Sequence, residues 1–100
     1  MNVLGSKQPY EEYHVEFNFT KMLGSNEDLS SVESVSMEGP DGEDVTETMI
    51  DGTLEFTSSK SAYVFIKGGE SGVVYKITCK IVGSAESHYE MDANIRVVEL

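Results

Sequence analysis

From Val73 to Ile81 every second residue is apolar: Val73, Tyr75, Ile77, Cys79 and Ile81 share one parity. Lys76, Thr78 and Lys80 take the other, with Val74 the single apolar residue among them. A period of two is the pattern of a strand with one face in a core and one in water. The segment just before it, Gly68-Gly69-Glu70-Ser71-Gly72, reads as the turn that feeds this strand.

The same period recurs along the chain. Tyr13, Val15, Phe17 and Phe19 alternate with His14, Glu16, Asn18 and Thr20. Lys21 to Asp28 is a turn or loop, with Met22 or Leu23 plugging one end of the core. Leu29, Val35 and Met37 mark another strand, in which Val32 has the wrong parity and predicts a bulge or an exposed valine. The turn residues Gly39 to Asp44 follow. Val45 to Ile50 suits either a short strand or one helical turn, and Asp51-Gly52 is a hairpin signal. Leu54 and Phe56 alternate with Thr53, Glu55 and Thr57, and Ser58 to Lys60 turns the chain. Ala62, Val64 and Ile66 then point one way and Tyr63 and Phe65 the other. After the hairpin turn at Gly83 to Ser87, Tyr89, Met91, Ala93, Ile95 and Val97 form the last apolar row.

These are about seven short strands at roughly ten-residue spacing, with no helix of ten or more residues between them. The expected fold is all-β: an antiparallel two-sheet sandwich of the immunoglobulin-like or fibronectin III-like kind. Residues 1–10 are expected as an extended polar leader, and residues 11–100 as the single domain. Val15, Phe17, Tyr75, Ile77, Ile95 and Val97 are its expected core. In such sandwiches a glycine-rich turn leads into a strand with an early tyrosine, whose hydroxyl returns to nearby backbone. Tyr75, behind Gly72, fits that structural role.

Charge narrows the partners. The net charge is −11, from 18 acidic and 7 basic residues. Such a chain repels phosphate, which argues against nucleic acid and anionic membrane surfaces as ligands. Cys79 is the only cysteine, so no internal disulfide forms. A reducing compartment suits it. No stretch approaches a membrane span, and the N-terminus lacks the pattern of a signal peptide. The sequence therefore predicts a protein made and kept in the cytoplasm, or released by lysis.

No constellation for chemistry stands out. His14 lies on the polar parity of its strand and the distant His88 beside a turn, which reads as solvent-facing histidine rather than a metal site. Asp41, Glu43, Asp44 and Asp51 cluster near glycines, but their spacing is not that of a calcium loop, and a solvated acidic turn is the reading. Cys79 lies on the apolar parity between Ile77 and Ile81 and reads as a buried, inert thiol. There is no Gly-x-Ser-x-Gly motif and no phosphate-binding loop. The expectation is a non-enzymatic protein without a cofactor.

The segment Gly68-Gly69-x-x-Gly72-Val73-x-Tyr75-x-Ile77-Thr78-Cys79-x-Ile81, preceded by Thr46-x-Thr48-Met49-Ile50-Asp51-Gly52, resembles small virion-associated proteins of tailed phages and prophages. Lys7-Gln8-Pro9 before a strand, and Leu23-Gly24-x-x-Glu27-Asp28-Leu29-Ser30-Ser31, extend the resemblance over roughly residues 7–98. Those proteins are fibre–tail adaptor or head–tail region proteins. In the last hairpin this chain departs from them, with Gly83-Ser84-Ala85-Glu86-Ser87 where Ser or Thr followed by Asp or Gly is usual.

The resemblance implies a structural module of the virion, assembled in the bacterial cytoplasm, that contacts other virion proteins at the head–tail, capsid or tail–fibre region. It implies no enzyme, no cofactor, no nucleic acid and no membrane, and a homo-oligomer is compatible with it. Tyr63 and Phe65, pointing out of the sheet, are the candidate interface, unless a neighbouring loop near residues 44–52 covers them. Carbohydrate binding through Tyr10, Tyr63 and Phe65 is the alternative, since aromatic rings stack on sugars. Gly72, Tyr75 and Cys79 are the structural positions.

Overall fold

The computed structural model describes residues 2–100, and side chains from residue 5 onward. Seven strands form two sheets. The four-stranded sheet has the order β1(Asn2–Lys7), β7(His88–Val97), β6(Val74–Gly83), β3(Leu29–Glu38). The three-stranded sheet has the order β2(Tyr13–Asn18), β5(Ser61–Ile66), β4(Ile50–Thr57). Two single turns of helix, α1(Thr20–Leu23) and α2(Thr46–Met49), join them. The result is an open all-β sandwich.

The apolar rows meet between the sheets. Phe17, Val64, Ile66, Ile77, Cys79, Ile95 and Val97 are almost wholly buried, with Val15 and Tyr75 only slightly less so. Burial of these rows is the main term holding the two layers together. Leu23, rather than the exposed Met22, closes one end.

Three expectations need correction, and one open alternative resolves. The leader is not outside the sandwich: β1 is an edge strand that pairs in parallel with β7, so the four-stranded sheet is mixed rather than wholly antiparallel. Val45 to Ile50 resolves into the helical turn α2 followed by the first residue of β4. The pair Asp51-Gly52 closes no hairpin and lies inside β4. Lastly, Leu54 and Phe56 do not face the core but are about half exposed, at 45 % and 50 %. Between Asp51 and Phe56 the strand advances five residues while β5 advances two, from Phe65 to Tyr63. That bulge inverts the parity of the strand beyond it.

Val32 shows the opposite use of a bulge. Register shifts between Leu29 and Ser31, and between Val32 and Ser34, break the alternation of β3. They place Val32 opposite Ile81 and Val35 opposite Cys79, so both valines join the core-facing row.

The turn before β6 is held by backbone and by Tyr75. The Tyr75 hydroxyl accepts the Glu70 N–H at 3.0 Å, and the Gly72 N–H donates to the Val97 carbonyl at 2.8 Å. Gly69 has φ +98°, and a Cβ there would come within 2.7 Å of Val97 Cγ2. Glycine is required on both counts. Beneath the turn lies Lys7, 2 % exposed, whose Nζ donates to the carbonyls of Gly68 at 2.5 Å and Gln8 at 2.8 Å.

Cys79 is fully buried, and desolvation, aided by the nearby Glu55 charge, pushes its thiol up to about 12. Only the thiolate reacts quickly. Native Cys79 is expected to be labelled by a maleimide at pH 8 at least a hundredfold more slowly than in denaturant. Comparable rates would place the thiol outside the core. The raised pKa also fixes a sign. The folded state holds this proton more tightly than the unfolded state, so its contribution to stability is lost as pH rises from about 9 towards 12.

Candidate functional site

The outer face of the three-stranded sheet carries a cluster of rings. β2 and β5 pair in unbroken antiparallel register, which sets His14 opposite Phe65 and Glu16 opposite Tyr63. Paired residues lie on the same face, so the polar parity of β2 and the Tyr63/Phe65 parity of β5 form one surface. The inverted end of β4 brings Phe56 opposite Tyr63 on that surface.

The rings touch. Phe56 stacks on Tyr63 with centroids 4.5 Å apart and planes 11° from parallel. His14 meets the edges of Phe56 and Phe65 at 4.9 Å and 5.0 Å. The β4 bulge arches over the sheet, so that His14 Nε2 donates to the Leu54 carbonyl at 2.7 Å. Glu16 accepts from the Ser61 hydroxyl at 2.6 Å, and the Tyr63 hydroxyl lies at 3.4 Å. Tyr63 and Phe65 are half-buried as a result, while Leu54 and Phe56 present apolar surface to solvent. Leu54 and Phe56 are among the few large apolar side chains so exposed, in a chain of net charge −11. An apolar patch rimmed by acid is a mark of a contact surface.

The two rings named from the sequence therefore sit together, partly covered from within the chain. Phe56 stacks on Tyr63, while Phe65 has His14 against its ring and Asp51 opposite it in the sheet. His14, Leu54 and Phe56 complete the face, and sequence reasoning missed them. The polar parity of His14 suggested solvent, and nothing in the local pattern marks a parity-inverting bulge four residues deep, although Gly52 within the strand is a weak sign of one. Tyr10 is 94 % exposed, and among the described residues no ring contact joins it to the cluster.

The acidic turn satisfies itself locally. Asp44 accepts the N–H and hydroxyl of Thr46, at 3.0 Å and 2.6 Å, which holds its carboxyl below the usual range. Asp51 does the same with Thr53. Among the described residues no three His, Cys, Asp or Glu side chains converge as a metal site. No described helix is long and apolar enough to cross a membrane.

At the other end, the carboxylate of Glu27 accepts the Ala85 N–H at 3.0 Å and occupies the space beside Gly83. Lys60 donates to the Gly24 carbonyl at 2.8 Å, to the Glu27 carbonyl, and pairs with Asp28 at 3.1 Å. The Glu27 contact ties the loop at 24–28 to the last hairpin, and the Lys60 contacts tie it to the turn between β4 and β5. In that hairpin Glu86 takes the left-handed conformation, with φ 66°.

No curated protein and no solved structure matches the chain. The model of the podophage GP4 fiber-tail adaptor protein gp77 family matches residues 7–96, and the chain belongs to that family of structural adaptors of the phage virion.

Proposed function

We propose that this protein is a non-enzymatic β-sandwich module that links tail to fibre in a podophage virion, docking through the outer face of β2, β5 and β4. It assembles in the bacterial cytoplasm and acts by burying surface, without a cofactor. The observation that supports this reading is the ring cluster of His14, Phe56, Tyr63 and Phe65, crowned by exposed Leu54 and Phe56. Aromatic side chains carry much of the binding energy of protein interfaces because they bury large area with little loss of rotamer freedom. A cluster already packed within its own sheet also loses little further freedom on docking.

Phe56→Ser tests this with small risk to the fold. Half of the side chain is in water, and each of its two ring contacts, with Tyr63 and His14, is worth about 0.5–1.5 kcal/mol. The variant is expected to remain folded, yet to enter particles at least tenfold less efficiently in cells that lack the wild-type copy. Unchanged incorporation by a folded Phe56→Ser protein, and by Leu54→Ser, would remove this face from the assembly.

A further inference from the structure

We infer that the free edge of β2 is a strand-addition site for an extended, basic segment of another virion protein. The inference deepens the docking reading above and rests on it for the identity of the partner's source.

The two sheets leave four edge strands: β1, β3, β2 and β4. Three are interrupted. The pairing of β1 shifts between Val3 and Ser6, that of β3 shifts twice, and that of β4 carries the long bulge. Bulges are a standard way to blunt an edge against further pairing. β2 has none: its six residues, Tyr13 to Asn18, pair with β5 without a break, and the segment contains no proline or lysine.

The hydrogen-bond phase shows which groups are free. The Phe19 N–H donates to the Lys60 carbonyl at 2.8 Å, so Phe19 and Lys60 form a hydrogen-bonded pair at the foot of this ladder. Antiparallel pairs alternate between bonded and non-bonded. Phe17 with Ala62, Val15 with Val64 and Tyr13 with Ile66 are therefore the bonded pairs. The backbone groups of His14, Glu16 and Asn18 point the other way, off the edge. Among the described residues none of these three N–H groups has a partner.

The occupant follows from charge. The side chains of this edge strand on the outer face are His14, Glu16 and Asn18, in a chain of net charge −11. A second copy pairing here about Glu16 would set the two Glu16 carboxylates against each other, and like charges directly opposite are unfavourable in a sheet. A segment with a Lys or Arg on its outer face would instead set a cation beside Glu16, and an apolar residue two positions away would face His14 and the rings next to it. Strand addition supplies main-chain hydrogen bonds, and the alternating side chains supply selectivity.

The test is Glu16→Pro against Glu16→Ala. Both lose the carboxylate, but only proline removes the N–H that faces the free edge, and edge positions of this kind tolerate proline. Both variants are expected to fold. Glu16→Ala should enter particles within about threefold of wild type, because backbone groups still pair, and Glu16→Pro at least tenfold less than Glu16→Ala. Should Glu16→Pro fail to fold, hydrogen exchange gives the second measurement. The His14, Glu16 and Asn18 amides should exchange fast in the free protein and at least tenfold more slowly in assembled particles. Equal incorporation of the two folded variants, or equal exchange free and assembled, overturns the proposal. A wild-type dimer in solution that Glu16→Pro abolishes would make the occupant a second copy and overturn it too. If Glu16→Pro enters particles normally while Phe56→Ser does not, strand addition fails and the docking face stands. The reverse result retains strand addition and removes the face.

Discussion

Replacing Ile77 by Ala is expected to destabilise the protein by about 2–5 kcal/mol, a fall in Tm of roughly 10–20 °C for a domain of this size. Ile77 has no exposed surface and lies at the centre of β6, paired with Met37 on one side and Ala93 on the other. The facing sheet presents Phe17, Val64 and Ile66 to the same core, all within 1 % of full burial. Truncation removes transfer free energy and leaves a cavity between two sheets that cannot close independently. Thermal or urea unfolding measures the loss directly. An unchanged midpoint would mean that β6 presents its other parity to the core.

The second large effect is expected at Lys7. Its ammonium donates to the carbonyls of Gly68 and Gln8, with that of Pro9 at 3.5 Å, and it is the only lysine so completely buried. Burial lowers its pKa from the ordinary lysine value, and the nearby Glu11 and Glu12 charges offset part of that shift. Lys7→Met keeps the length of the stem and deletes the donors. Two to three half-buried carbonyls then lose their partner, at up to about 1–3 kcal/mol each. A net loss of about 2–4 kcal/mol is expected once the relief of burying a charge is set against it. The damage should concentrate at the end of β1 and at the Gly68–Gly72 turn. Faster amide exchange at Glu70 and Gly72 than in wild type would show that. A neutral or stabilising Lys7→Met would mean that the cost of burying the charge outweighs its hydrogen bonds.

Lys7 also shows where reading the sequence stops. A lysine in a polar N-terminal stretch carries no local sign of burial. Only the parallel pairing of β1 with β7, which carries Lys7 to the position opposite Val97, puts its ammonium under a turn sixty residues away in the chain. The N-terminal stretch has too little alternation to declare itself a strand, and its partner is at the other end of the sequence. Long-range pairing of that kind leaves no periodic trace.

The core was legible because it depends on a local rule. Side chains in a strand alternate faces, so the rows of Val15 and Phe17, of Val64 and Ile66, of Tyr75 to Ile81, and of Ile95 and Val97 name their own buried side. The turn glycines at 68–72 were legible for the same reason, since positive φ is a single-residue property. What tertiary structure alone decided is where alternation breaks. The β4 bulge inverts the parity of Leu54 and Phe56 because a register is a relation between two strands. The ring cluster exists only because that inversion carries Phe56 onto the face of Tyr63 and His14. Which edges are open was decided in the same way. The intact register of β2, and the interrupted registers of β1, β3 and β4, belong to pairs of strands and not to any one segment of the chain.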